Sequence, residues 1–596
     1  MPWKGNTLRI AASVLIARLF FAASGAAVPI ALLLISGADS ACAQLPLPAN
    51  DPLPAQDPFV VHIGAGLVRG SARPGSGAEF LGIPYAQPPV GDLRWRAPEP
   101  ALPWTGVRDA TKFGAACSQP LLDGAWNRYD VDHSQEDCLF LNVITPAWPA
   151  GKPLPVMVWI HGGADLGGSA SSDLYKDGTL PEHGVVLVTI NYRLGVFGFF
   201  AHPALTAESP HHASGNYGLM DQILALQWVH DNIARFGGDP SNITVFGQSA
   251  GSMNTGMLMT SPLARGLFEK AIAESGAAYA PSVPSLADAE RFGEDAATAL
   301  NVPVGAQALS GPAAIAALRK IPAPDLLARL GKRASDWPGF TPEIDGWVLT
   351  RWPASVFAAG DEAPIPLLIG TTSREFGGGM PIDALRAAIT QASGNLAPQA
   401  LALYGVEGGA ASNVPNVSDP AIDPIYGAPA AQWSADQLFH CPITTQALWH
   451  SAAHHSTYEY ELDHPIPGHE AEGAVHSGDL PYVFGYYPKT GNIGGIFTDT
   501  DMNLAGQIET YWTNFARTGD PNDGSSSLGQ RNLSLETKTG NSNSAGLMHW
   551  PALDAARQSF LRFSLDGSAV VSTAPLRGAQ CDLYRKVLAQ QMKPAH

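Results

Sequence analysis

Apolar runs alternate with helical patterns along much of the chain. Four short runs rich in Val, Ile and Leu predict buried strands at 154–160, 185–192, 242–247 and 366–372. Between the second and third runs, apolar residues recur at helical spacing over 218–237. Strands that alternate with helices predict an α/β protein whose largely parallel sheet is covered by helices on both faces.

The N-terminal segment has a different pattern from the rest of the chain. Basic residues precede an apolar run at 19–35, and small residues follow at 41–43. This order predicts a secretory signal peptide over 1–43, and therefore export to the periplasm or the medium. A retained membrane anchor is the alternative, but the run is interrupted by Gly25 and Pro29 and is short for a span of about 20 residues.

Residues 44–596 contain no linker that would divide them, so a single domain is predicted. Two stretches within it have a loop-like composition. Residues 405–432 are rich in Gly, Pro, Ala and Asn, and residues 520–546 are polar and almost free of aromatic side chains. Neither stretch can bury much apolar area, so both are predicted to be surface loops.

Charge and cysteine content narrow the class of protein. The net charge is −18 over 596 residues, and a negative surface repels phosphate backbones, so nucleic acid is not an expected partner. An even number of cysteines in an exported protein predicts two disulfides, with three possible pairings. The cysteines that follow the signal peptide are Cys117, Cys138, Cys441 and Cys581. The His pairs at 211–212 and 454–455 lack Cys, Asp or Glu at the spacing of a zinc motif, so no metal site is predicted.

The segment Gly-Gln-Ser-Ala-Gly, which follows the third apolar run, carries the first chemical signal. A predicted strand ends at Gly247, and the G-x-S-x-G spacing is that of a nucleophile elbow, whose sharp turn exposes the serine hydroxyl. Glycines flank the serine because side chains there would collide with the neighbouring strand and helix. Ser249 is therefore the candidate nucleophile, and an ordinary turn of small residues is the alternative.

A glycine-rich loop upstream supplies candidate anion-binding groups. Residues 156–168 predict a strand that enters this loop, where backbone N–H groups can approach an oxyanion closely. Gly163 and Ala164 are the candidate donors, with the N–H of Ala250 as the third; a plain turn is the alternative. Because a serine hydroxyl is a weak nucleophile without a base, an acid and then a histidine are expected downstream.

The motifs together resemble those of type-B carboxylesterases, the group of the α/β-hydrolase superfamily that includes cholinesterases and bacterial para-nitrobenzyl esterases. The resemblance implies an α/β-hydrolase fold with a large, mostly parallel central sheet, helices on both faces and long loop insertions around an active-site gorge. Besides the two motifs above, the matching segments are 66–71, 80–100, 134–146, 189–200, 215–252, 339–346, 474–485 and 511–522.

The resemblance also implies the other catalytic residues. It assigns the acid to Glu375, in LLIGTTSREFG, and the base to His476, in AVHSGDLPYVFG. His476 would take the proton of Ser249 and return it to the leaving alcohol, while Glu375 would fix the histidine tautomer and stabilise the imidazolium. Ser275, in IAESG, matches a serine that supports the acid, and a plain helix-end serine is the alternative.

The disulfide pairing is likewise implied by the resemblance. It pairs Cys117 with Cys138 and Cys441 with Cys581. Such bridges contribute about 2–4 kcal/mol each, mainly by constraining the unfolded chain, and they require an oxidising compartment.

Several positions depart from the family pattern. Ala164 and Asp165 stand where glycine and an aromatic residue are usual, so Asp165 either makes a pocket wall polar or turns to solvent. Gln248 replaces a usual glutamate, which argues against a specialist for cationic choline esters. Trp126 lies in the loop where cholinesterases keep a choline-binding tryptophan, although a surface tryptophan is the preferred interpretation. Small residues at 275–282 indicate room for a bulky acyl group.

The sequence therefore predicts an exported serine hydrolase that cleaves neutral or bulky carboxylic esters through an acyl-enzyme intermediate. Its expected partner is a small-molecule ester, with no cofactor, no metal and no stable membrane insertion after signal cleavage. A lipase or acyltransferase on the same fold is the first alternative. A non-catalytic cholinesterase-like binding protein is the second, although such proteins typically lose the nucleophile, which this chain retains.

Overall fold

The strands of the protein follow the apolar runs of its sequence. The computed structural model describes residues 57–122, 126–280, 283–300, 311–335, 339–376, 379–407, 422–522 and 547–592. In chain order, the strands are β1 Val60–Ile63, β2 Gly66–Arg69, β3 Ser71–Ala72, β4 Ala78–Pro84, β5 Val107–Asp109, β6 Ala116–Cys117, β7 Ser134–Gln135, β8 Phe140–Thr145, β9 Leu154–Ile160, β10 Val186–Ile190, β11 Gly238–Gln248, β12 Lys270–Glu274, β13 Leu367–Thr372, β14 Thr457–Leu462, β15 Phe560–Phe563 and β16 Ala569–Ser572.

Helices lie between these strands through most of the chain. They are α1 Arg128–Asp132, α2 Asp173–Lys176, α3 Gly195–Gly198, α4 Pro203–Glu208, α5 Tyr217–Asn232, α6 Ala250–Thr260, α7 Leu286–Ala299, α8 Pro312–Leu318, α9 Ala323–Leu330, α10 Pro353–Ala359, α11 Ile382–Ser393, α12 Ala397–Leu403, α13 Pro429–Ala435, α14 Cys441–Ala452, α15 Leu480–Phe484, α16 Asp499–Thr518 and α17 Gly578–Gln591. A single π-helical turn, Asp436–His440, joins α13 to α14.

One large sheet organises the described part of the chain. Its strand order is β16-β15-β14-β13-β12-β11-β9-β10-β8-β4-β3. The strands from β15 to β10 are parallel, and the pairs at the two ends of the sheet are antiparallel. The loops that leave the carboxyl ends of the parallel strands therefore meet at one edge, where open α/β sheets bind their ligands. Residues Pro58–His596 form one compact unit.

Both faces of this sheet are buried. In β9, Val156, Val158 and Ile160 belong to one apolar cluster with residues of α5, α6 and α14, whereas Met157 and Trp159 belong to a second cluster with α16. Successive side chains of a strand point to opposite faces, so each face has its own core. A strand buried on both faces has a continuous apolar run, which explains why the sequence pattern predicted these strands correctly.

The predicted elements match the observed ones in place and type. The strands predicted at 154–160 and 366–372 are β9 and β13, within one residue at each end. The predicted strand at 185–192 is the shorter β10, and the one at 242–247 is the longer β11. The helix predicted over 218–237 is α5, which a short 3₁₀ turn continues to Phe236 before Gly237 adopts a left-handed conformation.

The surface loop predicted over 405–432 is wrong at its carboxyl end. Helix α13 begins at Pro429, and the side chains of Ala430, Ala431 and Gln432 are buried. Pro is favourable at the first position of a helix and Ala inside it, so a composition of small residues concealed a helix start. Residues 408–421, most of the second predicted loop (523–546) and the predicted signal peptide (1–43) lie outside the described residues.

Two disulfides have the pairing that the family resemblance implied. Cys117, at the end of β6, pairs with Cys138 before β8. Cys441, the first residue of α14, pairs with Cys581 in α17. Among the described residues, no helix has both the length and the apolar character needed to cross a membrane.

Candidate active site

The candidate residues from the sequence lie at the edge of the sheet where the parallel strands have their carboxyl ends. Gly163 follows β9, Ser249 follows β11, Glu375 follows β13, and His476 lies in the segment between β14 and α15. Because these strands are parallel, their following loops share one edge of the sheet. The contacts described below show which of these residues touch.

Ser249 occupies a strained turn between β11 and α6. Its φ is 58° and its ψ is −125°, a conformation that side chains rarely adopt and that typically costs about 1–3 kcal/mol. A methyl group at Gly251 would lie 2.0 Å from the carbonyl oxygen of Ile160, and one at Gly247 would lie 2.6 Å from the backbone of Gly251. Only glycine fits at both positions, so the local structure is the strand–turn–helix that the G-x-S-x-G spacing predicts.

His476 is bound to Glu375 through side chain and backbone. Its Nδ1 lies 2.5 Å from Oε2 of Glu375, and its backbone N–H donates to the Glu375 carbonyl at 3.0 Å. The other carboxylate oxygen of Glu375 accepts the backbone N–H of Thr372 at 3.0 Å and the hydroxyl of Thr371. Because Nδ1 donates to a carboxylate, the neutral imidazole carries its lone pair on Nε2, which a general base requires.

The surroundings of Glu375 keep it ionised. Burial raises the pKa of this carboxyl, but the charge and hydrogen bond of His476, together with Thr371 and Ser275, lower it further than burial raises it, so the pKa lies below its usual value. Ser275 is fully buried next to Glu375, although its hydroxyl makes no hydrogen bond of ordinary geometry. The supporting role that the resemblance assigned to Ser275 stays a prediction.

Gln248 contacts the histidine directly. Its side-chain Nε2 lies 3.2 Å from Nε2 of His476, and the residue is 3% exposed. The amide N–H can donate to the lone pair on that nitrogen. The sequence placed Gln248 next to Ser249 but gave no sign of this contact, because it depends on the fold of a segment 228 residues away.

The glycine-rich loop after β9 lies against Ser249. A methyl group at Gly162 would be 3.0 Å from Cβ of Ser249. Gly163 and Ala164 both have positive φ, 112° and 58°, so the loop turns sharply at the two candidate oxyanion donors. Ala250, the third candidate, is the first residue of α6, where a backbone N–H has no partner within its helix.

Asp165 fills neither role expected of it. It is 2% exposed, so it does not face solvent and presents almost no surface to a pocket. Its Oδ1 accepts hydrogen bonds from Nδ2 of Asn254 at 2.8 Å and from the hydroxyl of Tyr192 at 3.3 Å. Burial raises its pKa to about 7 against the opposing effect of these two donors. Asp165 thus connects the glycine-rich loop to α6, because Asn254 lies in that helix.

Aromatic side chains surround the candidate triad. Trp126 is half exposed, and the tip of its ring would lie 3.1 Å from a methyl group at Gly163, so it borders the candidate oxyanion loop as well as being exposed. Phe376 and Phe439 flank His476, with ring centroids 4.3 Å and 4.9 Å from the imidazole. Sequence reasoning missed both phenylalanines, although Phe376 directly follows Glu375.

Two buried acids behind the triad were also missed. Burial and the charge of Glu375 raise the pKa of Asp479 to about 7, with a smaller opposing effect of His476. Burial and the charge of Asp479 hold the pKa of Glu274 well above its usual range, although Nε1 of Trp512 donates to Glu274 at 2.6 Å. Asp479 lies three residues after His476 in the same motif, which is the signal that could have found it.

The parallel sheet, the serine elbow after β11 and the acid and histidine after β13 and β14 define an α/β-hydrolase. A sequence profile of the carboxylesterase family matches residues 57–583. The fumonisin B1 esterase of Sphingopyxis macrogoltabida is 35% identical over 488 residues, which cover 79% of this chain and 84% of that protein. The cocaine esterase of Homo sapiens is 34% identical over 543 residues, which cover 86% and 88% of the two chains.

Solved structures give the same result. A carboxylesterase of Geobacillus stearothermophilus, solved at pH 6.2, superposes with a TM-score of 0.70 at 30% identity and covers 88% of this chain and 100% of its own. A thermophilic PNB esterase superposes with a TM-score of 0.71 at 32% identity, covering 88% and 99%. The chain belongs to the carboxylesterase family, and it is a carboxylic ester hydrolase.

Proposed function

We propose that Ser249, His476 and Glu375 form the catalytic triad of this esterase and that hydrolysis proceeds through an acyl-enzyme intermediate. The observation that carries the proposal is the chain of contacts from Glu375 to Nδ1 of His476 and from Nε2 of His476 to the residue next to Ser249. This arrangement directs a basic nitrogen to the elbow that exposes the serine hydroxyl.

The triad would act in two half-reactions. In the first, His476 takes the proton of Ser249 while Oγ attacks the ester carbonyl, and the imidazolium then gives that proton to the departing alkoxide, which leaves as the alcohol. In the second, His476 takes a proton from water, hydroxide attacks the acyl group, and the proton returns to Ser249 as the acid departs. Glu375 stabilises the imidazolium in both half-reactions.

The oxyanion of each tetrahedral intermediate would bind to three backbone N–H groups, those of Gly163, Ala164 and Ala250. Donors that are already in place for the developing charge stabilise the transition state without reorganisation. Asp165 supports this role by its hydrogen bond to Asn254 in α6. The bond links the loop that holds two donors to the helix that holds the third.

The substrate class that fits this site is a neutral or bulky ester. Gln248 places an uncharged amide next to the nucleophile and the base, so the site lacks a carboxylate that would attract a cationic alcohol at this position. Phe376 is half exposed beside His476 and offers apolar contact area to the substrate. The relatives include a fumonisin B1 esterase and a cocaine esterase, so members of the family act on chemically different esters.

Export is part of the proposal. The sequence of residues 1–43 has the order of a secretory signal, and two disulfides connect described residues. Disulfides persist in oxidising compartments such as the periplasm or the medium. The exported protein would then begin after residue 43 and act there as a single-domain enzyme on small-molecule esters.

The triad assignment is tested by Ser249→Ala with a short nitrophenyl ester as substrate. The variant is expected to remain folded and to lose on the order of 10⁶-fold in kcat, as loss of a serine nucleophile does in other triads. Ser241→Ala is the matched control, because Ser241 is an exposed serine near the amino end of the same strand, β11. Hydrolysis by a purified, folded Ser249→Ala variant would exclude Ser249 as the nucleophile.

A further inference from the structure

A cluster of possible metal ligands lies where the parallel strands β13 and β14 begin, whereas the candidate triad lies where the strands end. Glu362 is in the loop between α10 and β13, His450 is in the last turn of α14, and His455 follows that helix before β14. One ligand atom from each of these side chains lies within 4.8 Å of the others. Glu362 and His450 have fully buried side chains, whereas the side chain of His455 is 16% exposed.

The hydrogen bonds of His450 determine where its proton is. Its Nε2 lies 2.8 Å from the carbonyl oxygen of Ile365, and a carbonyl only accepts, so Nε2 carries the N–H. In a neutral imidazole, the lone pair is then on Nδ1. That atom lies 2.8 Å from Oε1 of Glu362 and 3.3 Å from Nδ1 of His455. A lone pair this close to a carboxylate oxygen is repelled unless a cation lies at the same place.

Either a proton on His450 or a metal ion can supply that positive charge. A proton serves the contact between His450 and Glu362, and Nδ1 of His455 lies 3.4 Å from the same carboxylate oxygen, so the three possible ligand atoms all face one another. The second oxygen of Glu362 is buried without a hydrogen-bond partner, a costly arrangement for a carboxylate.

The spacing of the three atoms matches tetrahedral coordination. Zn²⁺ binds imidazole nitrogen and carboxylate oxygen at about 2.0–2.2 Å, so two ligand atoms of a tetrahedral site are roughly 3.3–3.5 Å apart. Nδ1 of His455 lies 3.3 Å from Nδ1 of His450 and 3.4 Å from Oε1 of Glu362. The remaining separation, 2.8 Å between His450 and Glu362, needs to widen by only about 0.5 Å.

We propose that Glu362, His450 and His455 bind a divalent transition-metal ion, with Zn²⁺ as the best fit and water as the fourth ligand. The ion would enter from the side of His455, the only one of the three ligands with exposed side-chain surface. The bond from Nε2 of His450 to the Ile365 carbonyl is the type of outer contact that orients histidine ligands in metal sites. Sequence spacing could not reveal this site, because its carboxylate lies 88 residues before the first histidine.

The role of the ion would be structural. The ligands come from the segments that precede β13 and β14, whereas Glu375 and His476 follow the other ends of these strands. Six residues of β13 span about 20 Å, so the ion lies too far away to act on a bound ester. It would instead fix the end of α14 to the loop that enters β13, and its free energy of binding would add to stability.

The test is a titration of the metal-stripped full-length protein with Zn²⁺ in competition with a chromophoric chelator. One equivalent is expected to bind, with His455→Ala weakening the affinity at least about 100-fold, since loss of an outer contact to a ligand alone costs about 10–100-fold. Glu362→Gln tests the second ligand. His454→Asn is the matched control: it removes the neighbouring exposed histidine, and Asn tolerates the positive φ of 66° at this position.

Co²⁺ in place of Zn²⁺ adds a spectroscopic measurement, because a tetrahedral site gives the visible absorption of four-coordinate Co²⁺. Bound Zn²⁺ is also expected to raise the Tm of the parent protein and of His454→Asn, but not that of His455→Ala. The proposal is overturned if the stripped protein binds no Zn²⁺ at micromolar concentrations. It is overturned equally if His455→Ala and Glu362→Gln bind Zn²⁺ as tightly as the parent, or if His454→Asn alone abolishes binding.

Discussion

At the scale of single residues, the two ring nitrogens of His476 have different hydrogen-bond partners, Glu375 and Gln248. Nδ1 donates to Glu375, so the neutral imidazole has its lone pair on Nε2, which lies 3.2 Å from the amide nitrogen of Gln248. An amide N–H at this place can donate to that lone pair. Residue 248 therefore contacts the histidine and also sets the charge beside Ser249.

The substitution Gln248→Glu is expected to raise the activity on cationic choline esters relative to neutral esters, because the new carboxylate attracts the cation. The effect is measured as the ratio of kcat/KM values for a matched pair of a cationic and a neutral ester. An unchanged ratio would show that the charge at position 248 does not set this preference.

Asp165 gives a prediction about stability, because burial raises the pKa of its carboxyl from 3.8 to about 7. The folded protein therefore keeps this proton at pH values where the unfolded chain has lost it. The stability that the group contributes is fully present below about pH 4 and is lost as the pH rises towards 7. Asn cannot ionise, so Asp165→Asn removes this loss while keeping an acceptor for Asn254.

The expected result is that the difference in free energy of unfolding, variant minus parent, increases by about 2–3 kcal/mol between pH 5 and pH 8. Urea unfolding at both pH values measures it. The other buried acids are present in both proteins, so the difference isolates Asp165. If the free energies of unfolding of variant and parent differ by the same amount at pH 5 and at pH 8, Asp165 is already ionised in the folded protein at pH 5.

Some of these residues could be found from the sequence and others could not. Ser249 was proposed from the G-x-S-x-G spacing around it, whereas Glu375 and His476 were assigned only by the family resemblance of their segments. Gln248 was found as a position, but its contact with His476 joins segments 228 residues apart. Asp165 was misplaced because its orientation depends on partners in α6 and after β10, which no local pattern describes.

At the scale of secondary structure elements, the close approach of α6 to β9 holds the elbow in place. The first turn of the helix lies so near to this strand that a methyl group at Gly251 would be 2.0 Å from the Ile160 carbonyl oxygen. The strand before the elbow is fixed between β9 and β12. The turn at Ser249 is thus held on both sides by packed elements, which is how a strained conformation persists.

The substitution Gly251→Ala is expected to lower stability by about 1–3 kcal/mol, as overpacking does in close-packed regions, and to lower kcat by moving Ser249. Gly506→Ala is the matched control, because Gly506 lies in α16 and its added methyl has no described group outside its own stretch of helix within 4 Å. That change is expected to stabilise the protein by up to about 1 kcal/mol. Thermal unfolding and nitrophenyl ester hydrolysis of both variants make the comparison. Full stability and activity in Gly251→Ala would contradict the described packing.

Prediction of elements from the sequence succeeded where burial was uniform. The central strands are buried on both faces, so their continuous apolar runs mark them clearly. The start of α13 was missed because its Ala-rich first turn packs with small side chains and has the composition of a loop. The cluster of Glu362, His450 and His455 was missed for another reason: one residue comes from a helix end and two come from loops, and only the fold brings them together.

At the scale of the whole molecule, the two disulfides close loops of very different length. Cys117 and Cys138 are 21 residues apart, whereas Cys441 and Cys581 are 140 residues apart. In the chain-entropy account, a longer loop restricts the unfolded chain more, and the difference for these two loops is about 1–2 kcal/mol. The late disulfide joins α14 to α17 and so connects the C-terminal helix to the helix that also carries His450.

Replacing Cys441 and Cys581 together with Ser is therefore expected to lower the free energy of unfolding by about 2–5 kcal/mol. Replacing Cys117 and Cys138 is expected to cost about 1–2 kcal/mol less. Both double variants are compared with the parent by denaturant unfolding under non-reducing conditions. A larger loss from the early pair would show that native packing around the bridges, rather than loop length, controls their contribution.

The central claim is that the ester is cleaved through a covalent intermediate on Ser249. The most direct test is to quench the enzyme during turnover of a nitrophenyl ester with a slowly hydrolysed acyl group and to locate the added mass by peptide mass spectrometry. The account predicts the acyl mass on the peptide that contains Ser249, and its absence from Ser249→Ala. An acyl adduct on another residue, or full turnover by Ser249→Ala without any adduct, would contradict it.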